Sequence, residues 1–208
     1  MFTTPRLVTI ALCAALNFAI GNVVYLVKLP IYLDSIGTIL CALLIFPDVI
    51  AAICCAFIAG LIGVILSGLV INPFLPWFTF TVLAIVLVSA LLTARGTQTF
   101  RAQPLEPLPF FGKVIVYGIV TGIVSAIISA PVVVYLFGGV TGSGSAFVVA
   151  FFLKTGQRLL DATLYAGLTT EPVDKTLQVL VAALLYRATP REFLDMLRPA
   201  QPSATESR

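Results

Sequence analysis

The chain has 208 residues, 60% of them hydrophobic and 10% charged, with a formal net charge of +3 and a mean hydropathy of +1.10. A soluble domain carries roughly 25% charged residues, so the composition excludes a water-covered globular protein, and no nucleic-acid partner is expected. It predicts an all-α polytopic membrane protein: a crossing takes about 20 apolar residues, which leaves room for six transmembrane helices, seven at most.

The first apolar run, residues 7–27, is too long for a signal-peptide core and no small-residue cleavage pattern follows it, so a retained first span is expected. Ala11, Ala15 and Ala19 are spaced by four and share one helix face. Small residues at this spacing admit a second helix at close range; ordinary packing within the bundle is the alternative. Asn17 is the one strongly polar residue near the middle of this span. It is expected to bond to a neighbouring helix or, less simply, to a ligand.

Residues 29–38 connect the first two spans. Lys28 and Asp34 bracket the connection with opposite charges, and Tyr32 suits a membrane edge. Pro30 breaks helical structure, because it lacks an N–H and disfavours helix at the residue before it. The stretch reads as a surface loop or as the lip of a binding site, and the lip is the reading adopted. Asp34 also suits the first turn of span two, where the helix dipole favours a carboxylate. Span two is expected to start after Pro30 and to end at Phe46-Pro47.

Span three is predicted over 49–69, with Pro47 and Asp48 at its start and a small face of Gly60, Gly63, Ser67 and Gly68. Span four is predicted from Asn72-Pro73 to residue 94. Its opening holds Phe74, Trp77, Phe78 and Phe80, which suit either an interfacial belt or a stacking surface for a flat ligand. Residues 95–113 form the long polar connection and 114–137 the fifth span. The glycine-rich turn 138–144 lacks the Gly-Lys-Ser/Thr ending of a phosphate loop, which excludes nucleotide binding there.

Read as one helix, 146–168 puts Lys154, Arg158, Asp161 and Tyr165 on a single face. Ionisable groups at mid-membrane each cost about 2.5–3.5 kcal/mol, so they face protein or water; a self-neutralising ion cluster is the plain alternative. The last span is expected from Pro172 to Arg187, with Asp174 in its first turn. Thr189-Pro190-Arg191-Glu192 has the form of a capping box. It predicts a short amphipathic helix with Phe193, Leu194 and Leu197 toward the membrane. Residues 1–199 thus form a single transmembrane domain, and 200–208 read as a disordered cytoplasmic tail.

Basic residues concentrate on the cytoplasmic side of membrane proteins. Six spans with both termini cytoplasmic put Arg6, Arg95, Arg101, Lys113, Arg187, Arg191, Arg198 and Arg208 inside, and Lys28, Lys154, Arg158 and Lys175 outside. A seventh span would move the basic C-terminus outside and remove most of that bias. The expectation is therefore six transmembrane helices with a short or re-entrant helical segment before the last span, multi-pass in the cell membrane. Cys13, Cys41, Cys54 and Cys55 fall within apolar runs and read as small hydrophobes. The chain has no His, which removes the commonest metal ligand, and neither a metal nor another cofactor is expected.

In these residues the chain resembles the substrate-binding S component of an energy-coupling factor vitamin transporter. The resemblance rests on the size and six-span count, the alanine stripe Ala11, Ala15 and Ala19, the stretch Leu29-Pro30-Ile31-Tyr32-Leu33-Asp34-Ser35-Ile36-Gly37-Thr38, and Glu171-Pro172-Val173-Asp174-Lys175-Thr176 before the last span. It implies an all-α membrane subunit that is not an enzyme and binds a vitamin-like small molecule from outside. It also implies partners, a transmembrane coupling protein and two cytoplasmic ATPases, with the alanine stripe as the docking face. On that account Lys28, Tyr32 and Asp34 form a gate, Asn72, Trp77 and Phe78 line the pocket, and Lys154, Arg158 and Asp161 supply polar contacts. Two alternatives are a membrane sensor or scaffold that moves no solute and a stand-alone small-molecule carrier. An intramembrane enzyme would have to use Asp161 beside Ser143 or Ser145 without a histidine base.

Overall fold

The computed structural model describes residues 2–101 and 106–197 of the chain, so the expected tail lies outside the described residues. Those residues are helical and contain no strand. The helices are α1 (Thr4–Val27), α2 (Ile36–Ile45), α3 (Val49–Val70), α4 (Thr79–Arg101), α5 (Pro107–Phe137), α6 (Ser145–Lys154), α7 (Leu159–Ala188) and α8 (Arg191–Leu197), with a 3-10 turn Leu75–Phe78 leading into α4. Four helices are long and apolar enough to cross a membrane: α1, α3, α5, and α4 together with its lead-in turn. They expose large aliphatic side chains such as Leu12, Ile50, Leu69, Leu87 and Ile127 on their outer faces. A lipid bilayer is the medium in which such a surface is stable.

The boundaries follow local chemistry. Proline occupies the first turns of α1 and α5, where its missing N–H costs nothing. The Asp48 side chain accepts from the Ala51 N–H at 3.1 Å and caps α3. Asn72 accepts from the Phe74 N–H at 2.9 Å, so it shapes a turn, and the α-helix begins only at Thr79.

Several expectations need correction. The connection expected over 95–113 is mostly helical, because α4 runs on to Arg101 and α5 already starts at Pro107. Helix α2 is only ten residues long, about 15 Å, because residues 29–35 do not stay at the bundle end. They descend into it as non-helical chain. The last long helix begins at Leu159, not at Pro172, and carries Pro172 inside it. The carbonyls around that proline take side-chain donors: the Thr170 hydroxyl bonds to the Ala166 carbonyl at 2.9 Å and the Thr176 hydroxyl to the Pro172 carbonyl at 2.6 Å. Finally, α8 does not lie on the lipid. Leu194 and Leu197 are buried and Phe193 packs against the same core cluster. The buried Arg6 locks α8 down: its Nε donates to the Leu197 carbonyl at 3.0 Å and its Nη1 pairs with Asp48 at 3.1 Å.

Helices α5 and α7 share the most extensive packing among the described helices. A Cβ at Gly118 would collide with the Thr176 backbone, and one at Gly122 would lie 2.5 Å from Pro172. Glycine at these two positions, one turn apart, lets the backbones meet and brings the polar face of α7 against the bundle centre.

Candidate functional site

Asn17 lies thirteen residues after the start of α1, about 20 Å along its axis. Its side-chain oxygen accepts from the Gly37 N–H at 2.7 Å and the Thr38 N–H at 3.3 Å, and its amide donates to the Thr38 hydroxyl at 2.9 Å. The N-terminus of α2 is thus capped from α1, halfway down the bundle. Asn17 makes the bond to a neighbouring helix expected of it.

The descending segment is held from the other side by α7. Asp174 Oδ1 accepts from the N–H groups of both Tyr32 and Leu33, each at 2.9 Å, and the Gln178 carbonyl oxygen accepts from the Ser35 N–H at 3.0 Å. Asp174 Oδ2 takes the Lys175 ammonium and the Gln178 amide, both at 2.7 Å. Non-helical backbone survives at membrane depth only where protein groups satisfy it, and here Asp174, Gln178 and Asn17 do so.

Between this segment, α1, α3, α4, α5 and α7 lies a cavity of about 100 Å³, partly open to solvent. Its apolar wall includes Val64, Phe78, Val82, Ile85 and Val133, and its polar lining includes Tyr25, Tyr32, Ser67, Thr81, Ser129, Thr141 and Ser143. Asp34, Glu171 and Lys175 supply the charge. Lys175 is buried, with its ammonium 2.7 Å from Asp174, 3.4 Å from Glu171 and 3.7 Å from Asp34. This balance of apolar wall and a few placed polar groups is that of a small-molecule site.

The segment between α5 and α6 closes one side. Tyr32 donates to the Ser145 hydroxyl at 2.7 Å, Ser145 lies 2.8 Å from Ser143, and Ser143 lies 2.7 Å from Thr141. Tyr25 donates to the Thr141 carbonyl at 3.0 Å. Gly144 lies so close to the backbone of Lys28 and Leu29 that any side chain there would collide. Phe74 and Phe78 pack on Phe137 at ring separations of 5.9 and 5.7 Å, joining the α3–α4 connection to the end of α5.

Of the residues expected at the site, Tyr32, Asp34 and Phe78 line the cavity. The others lie apart from it. Lys28 is exposed, in a left-handed conformation that ends α1. Asn72 serves its own turn and Trp77 is 53% exposed. Lys154, Arg158 and Asp161 do not share a helix face. The chain breaks at Thr155–Arg158, where Gly156 has φ +86°, so Lys154 ends α6 and Arg158 precedes α7. Both are exposed, and among the described residues no ion pair joins the three. Ala11, Ala15 and Ala19 are exposed along one face of α1.

The sequence reading missed Glu171 and Lys175 as lining residues, and Lys175 is no outer-loop charge. A signal was present: Glu171, Asp174, Lys175 and Gln178 fall at i, i+3, i+4 and i+7, a polar stripe on a membrane helix. Such a stripe faces protein or water. Comparisons with protein-family models, curated proteins and solved structures return no match to this chain.

Proposed function

We propose that the chain is the substrate-binding subunit of an energy-coupled importer. It takes up a vitamin-like small molecule in the central cavity and passes it to a transmembrane coupling protein driven by two cytoplasmic ATPases. The observation that carries the reading is the half-length α2: a ten-residue helix whose N-terminus opens on the cavity at mid-bundle. A protein that merely filled the membrane would run this segment across as an unbroken helix. Interrupted helices with satisfied backbone at midplane accompany solute sites in transporters.

On this proposal α1, α2 with its descending segment, α3, α4, α5 and α7 make six crossings. Both termini then lie on one side, and the basic residues of α8, the end of α4 and the start of α5 put that side in the cytoplasm. The cavity opens toward the opposite, outer side, beneath the segments before α2 and after α5. The chain carries no phosphate loop, so energy comes from partners. The exposed alanine face of α1 offers a coupling protein a flat surface for close helix approach.

The test is uptake, by cells expressing the chain, of whatever compound is released from the purified protein. Uptake that requires the coupling protein and ATPases supports the reading. Uptake without them indicates a stand-alone carrier. Absence of uptake in both cases indicates a sensor or scaffold.

A further inference from the structure

The charge in the cavity is unbalanced. With every group ionised, Asp34 and Glu171 face a single ammonium, that of Lys175, and Asp174 behind it adds another carboxylate. Among the described residues no other cationic side chain lines the cavity. Excess charge at this depth is costly unless something compensates it. A metal ion is the wrong compensation, because the Lys175 ammonium already occupies the centre of the carboxylates. Among the described residues no group of three His, Cys, Asp or Glu side chains is placed to hold a metal.

Two buried polar atoms in the lining lack hydrogen-bond partners. Glu171 is 6% exposed, and its Oε2 sits near Lys175 but outside hydrogen-bonding geometry. Thr81 is 7% exposed, and its hydroxyl bonds to nothing, although a threonine inside a helix ordinarily bonds back to the preceding turn. The two stand on different helices, α7 and α4, and line the same cavity. Buried polar atoms without a hydrogen bond, even one that keeps an ion-pair neighbour as Glu171 Oε2 does, mark a place where a partner is missing. Asp34, by contrast, is half exposed toward solvent, and its Oδ1 already accepts the Ser35 hydroxyl at 3.0 Å.

We propose that the cavity is selective for a small organic cation with an N–H group, a protonated amine or amidine on an apolar or aromatic body. The nitrogen donates to Glu171 Oε2, the Thr81 hydroxyl bonds a neighbouring polar atom of the ligand, and the body lies against Phe78, Val82, Ile85 and Val133. This rests on the reading of the cavity as a solute site and names its substrate class.

The test uses three probes with the same ring and different charge: benzylamine, benzyl alcohol and benzoate. Each is added at millimolar concentration to the full chain in mild detergent, and the thermal unfolding midpoint is measured. Benzylamine, protonated at neutral pH, is expected to raise the midpoint, with the other two giving less. Val64→Trp, which fills the cavity, abolishes the shift. Glu171→Gln weakens benzylamine binding roughly tenfold or more while its probe-free midpoint stays at or above that of the wild type. Should that variant fail to fold, Thr81→Val provides the comparison, with weakened benzylamine binding expected. A larger shift with benzoate or benzyl alcohol, lost in Val64→Trp, overturns the charge selectivity and leaves the cavity a solute site. No shift with any probe overturns both.

Discussion

Asp174 and Tyr32 are 142 residues apart in sequence, and the buried Asp174 carboxylate accepts the Tyr32 backbone N–H at 2.9 Å. The same oxygen accepts the Leu33 N–H, and its partner oxygen holds Lys175 and Gln178. Replacing Asp174 with alanine strands two backbone donors and the Gln178 amide, and takes from Lys175 the nearest of its three carboxylates. Removing one partner of a buried charged network typically costs about 3–5 kcal/mol. Asp174→Ala is expected to lose stability of that order in equilibrium unfolding in mixed detergent micelles, and Asp174→Asn, which keeps an acceptor, to lose less.

Asn17 caps α2 with an oxygen shared by two N–H groups. Asn17→Ala leaves buried donors unpaired, at about 1–3 kcal/mol for each group. Hydrogen exchange is expected to rise at Gly37 and Thr38 first, ahead of the rest of α2. Uniform exchange across α2 would show that the cap is not what holds its start.

Much of the fold was legible. Apolar length located α1, α3 and α5, and Thr189-Pro190-Arg191-Glu192 announced α8. The half-length of α2 was not legible, because its apolar sequence continues smoothly from Ile36 and the groups that satisfy the descending backbone lie on α7. The break between Lys154 and Arg158 was written in Thr155-Gly156, but helical spacing of the charges outweighed it. Of the residues lining the cavity, Tyr32, Asp34 and Phe78 had been named from the sequence. Glu171 and Lys175 were placed at the start of a span that in fact begins thirteen residues before Pro172, at Leu159.

Glycine positions in α5 separate packing from propensity. Gly118→Ala drives a methyl into the Thr176 backbone, which cannot yield as a side chain would. Overpacking costs about 1–3 kcal/mol, and the upper end is expected here. Gly112→Ala meets nothing within 4 Å and is expected to be neutral or to stabilise by about 0.5–1 kcal/mol through helix propensity. Matched unfolding curves for the two variants check the contrast.

The alanine face of α1 is exposed, so enlarging it leaves the chain's own core untouched. Ala15→Trp is expected to leave the unfolding free energy within about 0.5 kcal/mol of wild type. If the proposed coupling protein docks there, the variant is expected to abolish its recovery in a pull-down, while a bulky residue elsewhere on the lipid face, such as Leu69→Trp, does not. Equal recovery with both variants would remove the docking role from this face.

The central claim is that the cavity holds a small molecule. Its most direct test is mass spectrometry of compounds released by denaturing the protein purified from its own host in mild detergent, with Val64→Trp prepared in parallel. The account predicts one small compound in near-stoichiometric amount from the wild type and its loss from the variant. No compound from the wild type, or the same amount from both proteins, would contradict it.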